Sequence, residues 1–408
     1  MSRRVVMVQL EDIQKAKKAL KGVARCTPLD YSQTFSQLAG NAVYLKLENL
    51  QKTGSFKVRG AYNKIMSLNG RERAKGVVAA SAGNHAQGVA FASQMAEIES
   101  TIVMPEGAPL AKVQATKHYG AHIVLYGETF DEAMDYAHRL QQKTGAAFVH
   151  AFDDEHVITG QGTIGLEIVE QLPDVEVIVC PIGGGGLISG IAKAVKAVKP
   201  SVRIYGVEAA ACPSMVESIR HKLPIKAGSH STIADGIAVK QPGEKTFQMV
   251  QTYVDHIVTV DDLEISRTML YLLERSKLLV EGSGAVSLAA LIYRKIPVEG
   301  KKTVAVISGG NVDIHFVSRI IERGLVEAGR YVKLSTTVPD KPGHLNQLLS
   351  IIAEQKANIV SVEHYRISPN VIPGETEIEL SLETRDRHHI DKIEQALKQA
   401  GYRFTRKT

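Results

Sequence analysis

Three observations predict an α/β protein built on parallel sheet, followed by a small ferredoxin-like domain. Over the first 325 or so residues, short apolar runs bounded by glycine alternate with helix-like stretches. The polar and glycine-rich segments fall where those runs end. From residue 330 the alternation gives way to the order β-α-β-β-α-β.

The elements follow in order. VVAAS (77–81) reads as a buried strand and precedes a helical NHAQGVAFASQMA. STIVMP (100–105) leads to PLAKVQATKHYG, AHIVLYG to TFDEAMDYAHRLQQKTG, and AAFVH to a helix near 158–171. VEVIVCPI precedes GLISGIAKAVKAVK, then come RIYGVE and finally KTVAVISGG. In such sheets ligands bind outside the carboxyl ends of strands, where SAGNHAQG, GGGGL and SGGN stand. Beyond residue 329 the reading is strand RYVKLSTTV, loop PDKPGH, helix LNQLLSIIAEQKA and strand NIVSVEHYRI. A loop at 368–375, strand TEIELSLET, helix HHIDKIEQALKQAG and strand YRFTRK complete it. The expected division is 1–325 and 330–408, with a boundary near Gly329.

Composition narrows the function classes. With 408 residues, 44% hydrophobic and 23% charged, the chain has the profile of a globular protein of two or three domains. A net charge of +6 without a basic–aromatic tract points away from nucleic acid, and the tail RFTRKT reads as a solvated end. Cys26, Cys180 and Cys212 form no C-x-x-C, which argues for a reducing compartment and against a disulfide framework or zinc site. The apolar run before Glu11 and Asp12 is too short for a signal-peptide core, and no stretch is long enough to span a bilayer. A cytoplasmic location with no membrane partner is expected.

The chemistry-bearing candidates begin with Lys57 in TGSFKVRG (53–60), whose plain alternative is a solvated helix-start lysine. CPIGGGGLISG (180–190) puts four glycines between a buried strand and a helix. Their backbone can approach a ligand closely, and the helix start offers free N–H groups to a phosphate. A dinucleotide is the rival. G-x-G-x-x-G would need glycine at Ile188 or Ser189, yet Glu208 stands at about the place of a ribose-binding acid. In SAGNHAQG (81–88), Ser81 and Asn84 either cap a helix or present polar groups to a ligand. In SGGN (308–311), Ser308 offers a hydroxyl to a ring nitrogen. Lysine, amide, glycine cradle and hydroxyl together suit a phosphorylated aromatic aldehyde held as a Schiff base on Lys57.

SFKVRGA, SAGNHAQG, GGGGL, ADGIAV, EGSGAV and SGGN, in that order, resemble the pyridoxal-phosphate enzymes of fold type II, tryptophan-synthase-like. Within them the chain is similar to the threonine (serine) dehydratase, or threonine ammonia-lyase, group over residues 10 to 325. The resemblance implies a two-subdomain catalytic core whose small subdomain, about 46–155, is inserted in the large one. It implies that pyridoxal 5'-phosphate is bound by Lys57, with Phe56 beside the ring and Asn84 on the ring hydroxyl. Gly183, Gly184, Gly185, Gly186 and Leu187 would hold the phosphate, and Ser308 would face the pyridine nitrogen. Ser81, Ala82, Gly83, Asn84 and His85 would surround the substrate carboxylate, with Gly236 and Glu281 lining the site.

The chemistry so implied is dehydration and deamination of L-threonine to 2-oxobutanoate and ammonia, with L-serine as a second substrate. The resemblance also separates this chain from similar serine racemases, which carry a second serine where Ala82 stands. Their acidic metal-site residue is replaced by Ser214, which argues against a divalent-metal site and leaves room for a monovalent cation near Glu208, with no metal assigned. Residues 331–405, through DKPGHL (340–345) and ANIVSV (357–362), resemble an ACT domain. That implies an amino-acid effector near Gly343, His344, Leu345, Asn358 and Ile359, and a homo-oligomer, dimer or tetramer. The alternatives are a serine racemase, a dehydratase of another β-hydroxy amino acid, and a non-catalytic amino-acid sensor.

Overall fold

The computed structural model describes residues 8–228, 230–367 and 371–407. The loop expected at 368–375 is therefore described only from Val371 onward. The residues before Val8, and the last residue of the basic tail, also lie outside the described residues. The chain divides into two units, Met1–Val312 and Asp313–Thr408.

The first unit holds two sheets. The larger has six strands in the spatial order Leu29–Tyr31, Ala42–Leu47, Lys302–Ile307, Val177–Pro181, Arg203–Ala209 and His256–Val260. Its first pair is antiparallel and the rest are parallel. The smaller sheet is parallel, in the order His122–Leu125, Ser100–Met104, Val77–Ala80 and Ala147–Phe148. The chain leaves the large sheet after Leu47, builds the small one, and returns at Val177. Val177–Pro181 is buried along its whole length, as expected of a parallel strand covered on both faces.

The registers Ile307 with Leu47 and Ala305 with Val179 align the carboxyl ends of three central strands. Gly183 and Ser308 follow two of those ends, so one edge of the large sheet collects candidate residues. Asp154 caps Glu155–Gln171 by accepting the N–H groups of His156 and Val157, a bond worth about 1 kcal/mol. That helix packs closely on its neighbours. A Cβ at Gly160 would lie 2.5 Å from the Arg59 carbonyl, and one at Gly165 would lie 2.8 Å from the Ile191 carbonyl. The glycines of TGQGTIG therefore set a short interhelical distance.

The second unit begins with the helix Ile314–Glu327 and continues as an antiparallel sheet. Its strand order is Asn358–Tyr365, Glu375–Glu383, Tyr331–Pro339 and Phe404–Lys407. Helices His344–Glu354 and Arg387–Gln399 supply Leu348, Ile352, Ile390, Ile393 and Leu397 to a core shared with Leu334, Ile378, Leu380 and Leu382. This is the expected β-α-β-β-α-β unit. Among the described residues no helix is long and apolar enough to cross a membrane.

Candidate active site

Lys57 is the first residue of the helix Lys57–Met66. The loop before it is joined to the end of Lys302–Ile307. Ser55 pairs with Gly309 in an isolated antiparallel bridge, and the Phe56 N–H donates to the Ser308 carbonyl at 3.2 Å. The Lys57 ammonium donates to the Ala151 carbonyl at 2.9 Å and lies 5.3 Å from the Phe56 ring centroid. Burial pushes its pKa down to about 8, against the opposing pull of the Glu281 charge. A solvated helix-start lysine would show none of this.

Ala151 leads directly to the glycine loop. Phe152 lies against it so closely that a Cβ at Gly184 would stand 2.3 Å from the phenyl ring, and one at Gly186 would stand 2.9 Å from the Phe152 backbone. A Cβ at Gly183 would meet Ile237 at 2.9 Å. Gly185 has φ of +92° and caps the helix Gly186–Val198, where Leu187 is buried. Thr246 donates its hydroxyl to the Gly184 carbonyl at 2.6 Å. Phe152, Ile237 and Thr246 thus wall the loop. Its free N–H groups belong to the first turn of a helix, where no intrahelical acceptor exists.

SAGNHAQG does not use its polar side chains to cap. The cap residue of Asn84–Met95 is Gly83, with no side-chain bond, and Ser81 Oγ accepts the Gly83 N–H at 3.2 Å. Ala82 packs on the core beneath the smaller sheet, with Ala79, Ile102 and Met104. Asn84 instead donates Nδ2 to Glu281 Oε1 at 2.6 Å, and its Oδ1 accepts from Asn311 Nδ2 at 2.8 Å. Burial raises the Glu281 carboxyl to about 7, and Asp235 adds to the rise. Glu281 stands at the start of Gly282–Ile292 but makes no cap bond there. His85 is buried, and burial, then the Lys57 charge, push its pKa down to about 3. Its Nε2–H meets the Val149 carbonyl at 2.8 Å. A neutral imidazole so committed has no ring N–H left for a carboxylate, which leaves the backbone N–H.

Ser308 is buried and its hydroxyl reaches only the Ser283 carbonyl, at 3.4 Å. The Ser55 hydroxyl is buried without a partner, while the buried Ser283 hydroxyl lies beside the Glu281 carboxyl and lowers its pKa somewhat. Gly236, in the turn Asp235–Ile237, leaves room for Ser283, whose Oγ a Cβ there would meet at 2.6 Å. An orphaned Ser55 hydroxyl, a weakly bonded Ser308 hydroxyl, an under-compensated lysine and a walled glycine loop fit a phosphorylated pyridine aldehyde. The lysine would take the carbonyl carbon, the glycine N–H groups the phosphate, and Ser308 the ring nitrogen.

Glu208 is placed differently. Both its oxygens accept N–H groups, from Met215 at 2.8 Å and Val216 at 2.9 Å, so its carboxylate holds the start of the helix Ser214–His221. Burial raises its pKa to about 7. No group of three or more His, Cys, Asp and Glu able to hold a metal occurs among the described residues. In the second unit, Gly343 has φ of +95° and precedes the helix starting at His344. Leu345 and Ile359 pack on that unit's core, and Asn358 donates to Glu383 at 3.1 Å.

Sequence reasoning passed over Phe152, Thr246, Ser283 and Asn311. Asn311 stood in plain view as the last letter of SGGN, without a partner to give it meaning. Phe152 and Thr246 carry no sequence signal, since nothing in HAFDDEH or GEKTFQ names the loop they touch.

Comparison with known proteins gives the family. The pyridoxal-phosphate dependent enzyme family matches residues 20–309, and the ACT domain family matches residues 332–401. An L-threonine ammonia-lyase of Thermotoga maritima is 53% identical over 396 residues, 97% of this chain and 98% of its own. Among solved structures, the processed threonine deaminase isoform 2 of Solanum lycopersicum has a TM-score of 0.74 at 40% identity. It covers 77% of this chain and 86% of its own. The maize serine racemase also reaches 0.74, at 36% identity, over 78% of this chain and 98% of its own. The chain belongs to the pyridoxal-phosphate dependent enzyme family, with an ACT domain following the family's own domain.

Proposed function

We propose that the protein dehydrates and deaminates L-threonine to 2-oxobutanoate and ammonia, and accepts L-serine as a second substrate. The observation that carries the reading is Lys57, poised near neutrality on the carbonyl of Ala151, whose chain neighbour Phe152 packs on the glycine loop. Pyridoxal 5'-phosphate, when bound, supplies an aldehyde and an electron-withdrawing ring that make the substrate Cα–H acidic. Lys57 is the base: with a pKa of about 8 its amine is far more available at neutral pH than that of a solvated lysine, and Nζ takes the α-proton. The backbone N–H groups at the start of Asn84–Met95 hold the substrate carboxylate. Ser308 keeps a hydroxyl, rather than an acid, at the ring nitrogen, which favours prompt loss of the β-hydroxyl. Ala82 has no proton to return to the opposite face, so dehydration is favoured over racemisation.

The same reading gives the second unit an amino-acid effector near Gly343, His344, Leu345, Asn358 and Ile359, and makes the protein a cytoplasmic homo-oligomer. The ACT match and three cysteines free of disulfides support it. An effector changes threonine affinity only by its differential affinity for two states, about fivefold to a hundredfold. The test is a keto-acid assay over threonine, serine and other β-hydroxy amino acids, repeated with isoleucine and valine, on the full chain and on one ending at Val312. Turnover of threonine in both, with an effector response in the full chain alone, is expected. A chain without keto-acid formation from threonine sinks the reading.

A further inference from the structure

Asn311, the last residue of SGGN, joins three loops that carry the candidate site. Its Nδ2 donates to the Thr53 carbonyl at 2.8 Å and to Asn84 Oδ1 at 2.8 Å. Thr53 lies in the loop before Lys57, Asn84 opens the helix after the small sheet, and Asn311 follows Ser308 by three residues. We propose that Asn311 is a positioning residue that locks the Asn84 side-chain amide, so that Asn84 presents an N–H donor, not an oxygen, to the bound cofactor. This rests on the pyridoxal-phosphate reading given above.

The orientation of an asparagine amide is decided by its neighbours, because its two ends have nearly the same shape. Here the chain of inference starts from a group with only one possible role. The Thr53 backbone carbonyl can only accept, so the end of Asn311 that faces it is the NH2. The same NH2 faces Asn84, so the end of Asn84 that faces it must be the oxygen. The Asn84 NH2 is thereby turned to Glu281, and its second hydrogen is left to donate elsewhere. Glu281 cannot make this choice alone. A buried carboxyl near neutrality is able to accept from an amide when ionised and to donate to it when protonated. With Asn311 removed, a flipped Asn84 would have a partner in protonated Glu281.

Asn311 is itself tightly held. Gly54 has φ of +71°, and a Cβ there would stand 2.2 Å from Asn311 Oδ1. The Gly310 N–H donates to the Gly54 carbonyl at 2.9 Å. The loop bearing Thr53 is therefore packed directly on the side chain it orients.

The test is a double-mutant cycle on the loaded enzyme: wild type, Asn311→Ala, Asn84→Ala and the double variant. Two quantities are read, the dissociation constant of pyridoxal 5'-phosphate and the pH midpoint of its visible absorption. Neither needs turnover. An N–H donor favours the ionised ring hydroxyl, so losing it moves the midpoint upward. We expect Asn311→Ala to weaken cofactor binding about tenfold and to raise the midpoint, but to change both by less than about twofold in the Asn84→Ala background. Asn311→Asp keeps the shape, lacks the donor, and is expected to behave as Asn311→Ala. Equal effects in both backgrounds would mean that Asn311 only supports the fold. Wild-type affinity and spectrum in Asn311→Ala or Asn311→Asp would equally overturn the proposal. Failure of the wild type to deaminate threonine overturns the proposed function alone and leaves the cycle readable.

Discussion

Lys57 and Arg59 stand two residues apart at the start of one helix, Arg59 taken out of water and Lys57 half-buried, and their surroundings are opposite. Arg59 spends its whole guanidinium. It meets Glu48 at 2.7 and 2.9 Å, Glu167 at 2.6 and 3.0 Å, Thr163 at 3.2 Å and the Arg25 carbonyl at 2.9 Å. Lys46 joins the network through Glu167 at 2.6 Å. Burial alone would disfavour the Arg59 charge, but the two carboxylates outweigh it and hold its pKa above the ordinary value. Lys57 has one carbonyl and a partly protonated carboxyl nearby, so burial wins and its pKa falls. A buried charge that is fully paired holds structure together. One left under-compensated is held in reach of its neutral form, the state a base or nucleophile needs.

Four measurements break or sharpen that contrast. The largest effect is expected of Lys57→Ala, motivated by its lone bond to Ala151. Turnover of threonine should fall about a thousandfold or more while the unfolding midpoint holds or rises. Near-normal keto-acid formation would end the assignment. Arg59→Met should do the reverse of this in kind, costing about 3–5 kcal/mol in chemical denaturation because Glu48 and Glu167 keep their burial and lose their main counter-charge. A stability within about 0.5 kcal/mol of wild type would show the network to be dispensable. Arg59→Lys should cost less, about 1–3 kcal/mol, since the charge remains but the paired fork is lost. A cost equal to that of Arg59→Met would mean that geometry, not charge, is what the network requires.

The smallest effect is in the pH dependence of the cofactor-free chain. Between about 8 and the ordinary value of 10.5, unfolded Lys57 binds more protons than folded Lys57, so stability rises with pH there. Between the ordinary 4.5 and about 7, folded Glu281 binds more protons than unfolded, so its contribution falls as pH rises. Arg59 adds no slope in either window, being charged in both states. Relative to wild type, thermal midpoints across pH should show a weaker alkaline rise in Lys57→Met and a weaker acid-side fall in Glu281→Gln, where Glu208, also raised to about 7, keeps the remainder. Unchanged profiles in both variants would count against the two shifts.

Much of this was legible in the chain itself. Alternating apolar runs and helical stretches determined a parallel α/β unit, because such strands need cover on both faces. Four consecutive glycines after a buried strand determined a loop that approaches a ligand, and the change of pattern after residue 329 determined a second sheet. Lys57, Asn84 and Ser308 were visible as residue types at strand ends. Tertiary structure alone decided what those residues touch. Asn84 reads as a cap in sequence, yet its amide crosses 197 residues to Glu281. Arg59 reads as a companion to Lys57, yet it finds its partners at Glu48 and Glu167. Phe152 and Thr246 wall the glycine loop from segments that carry no motif. Periodicity is a local property, written residue by residue. Pairing, burial and the pKa shifts that follow depend on which distant groups share a volume, and only the folded chain sets that.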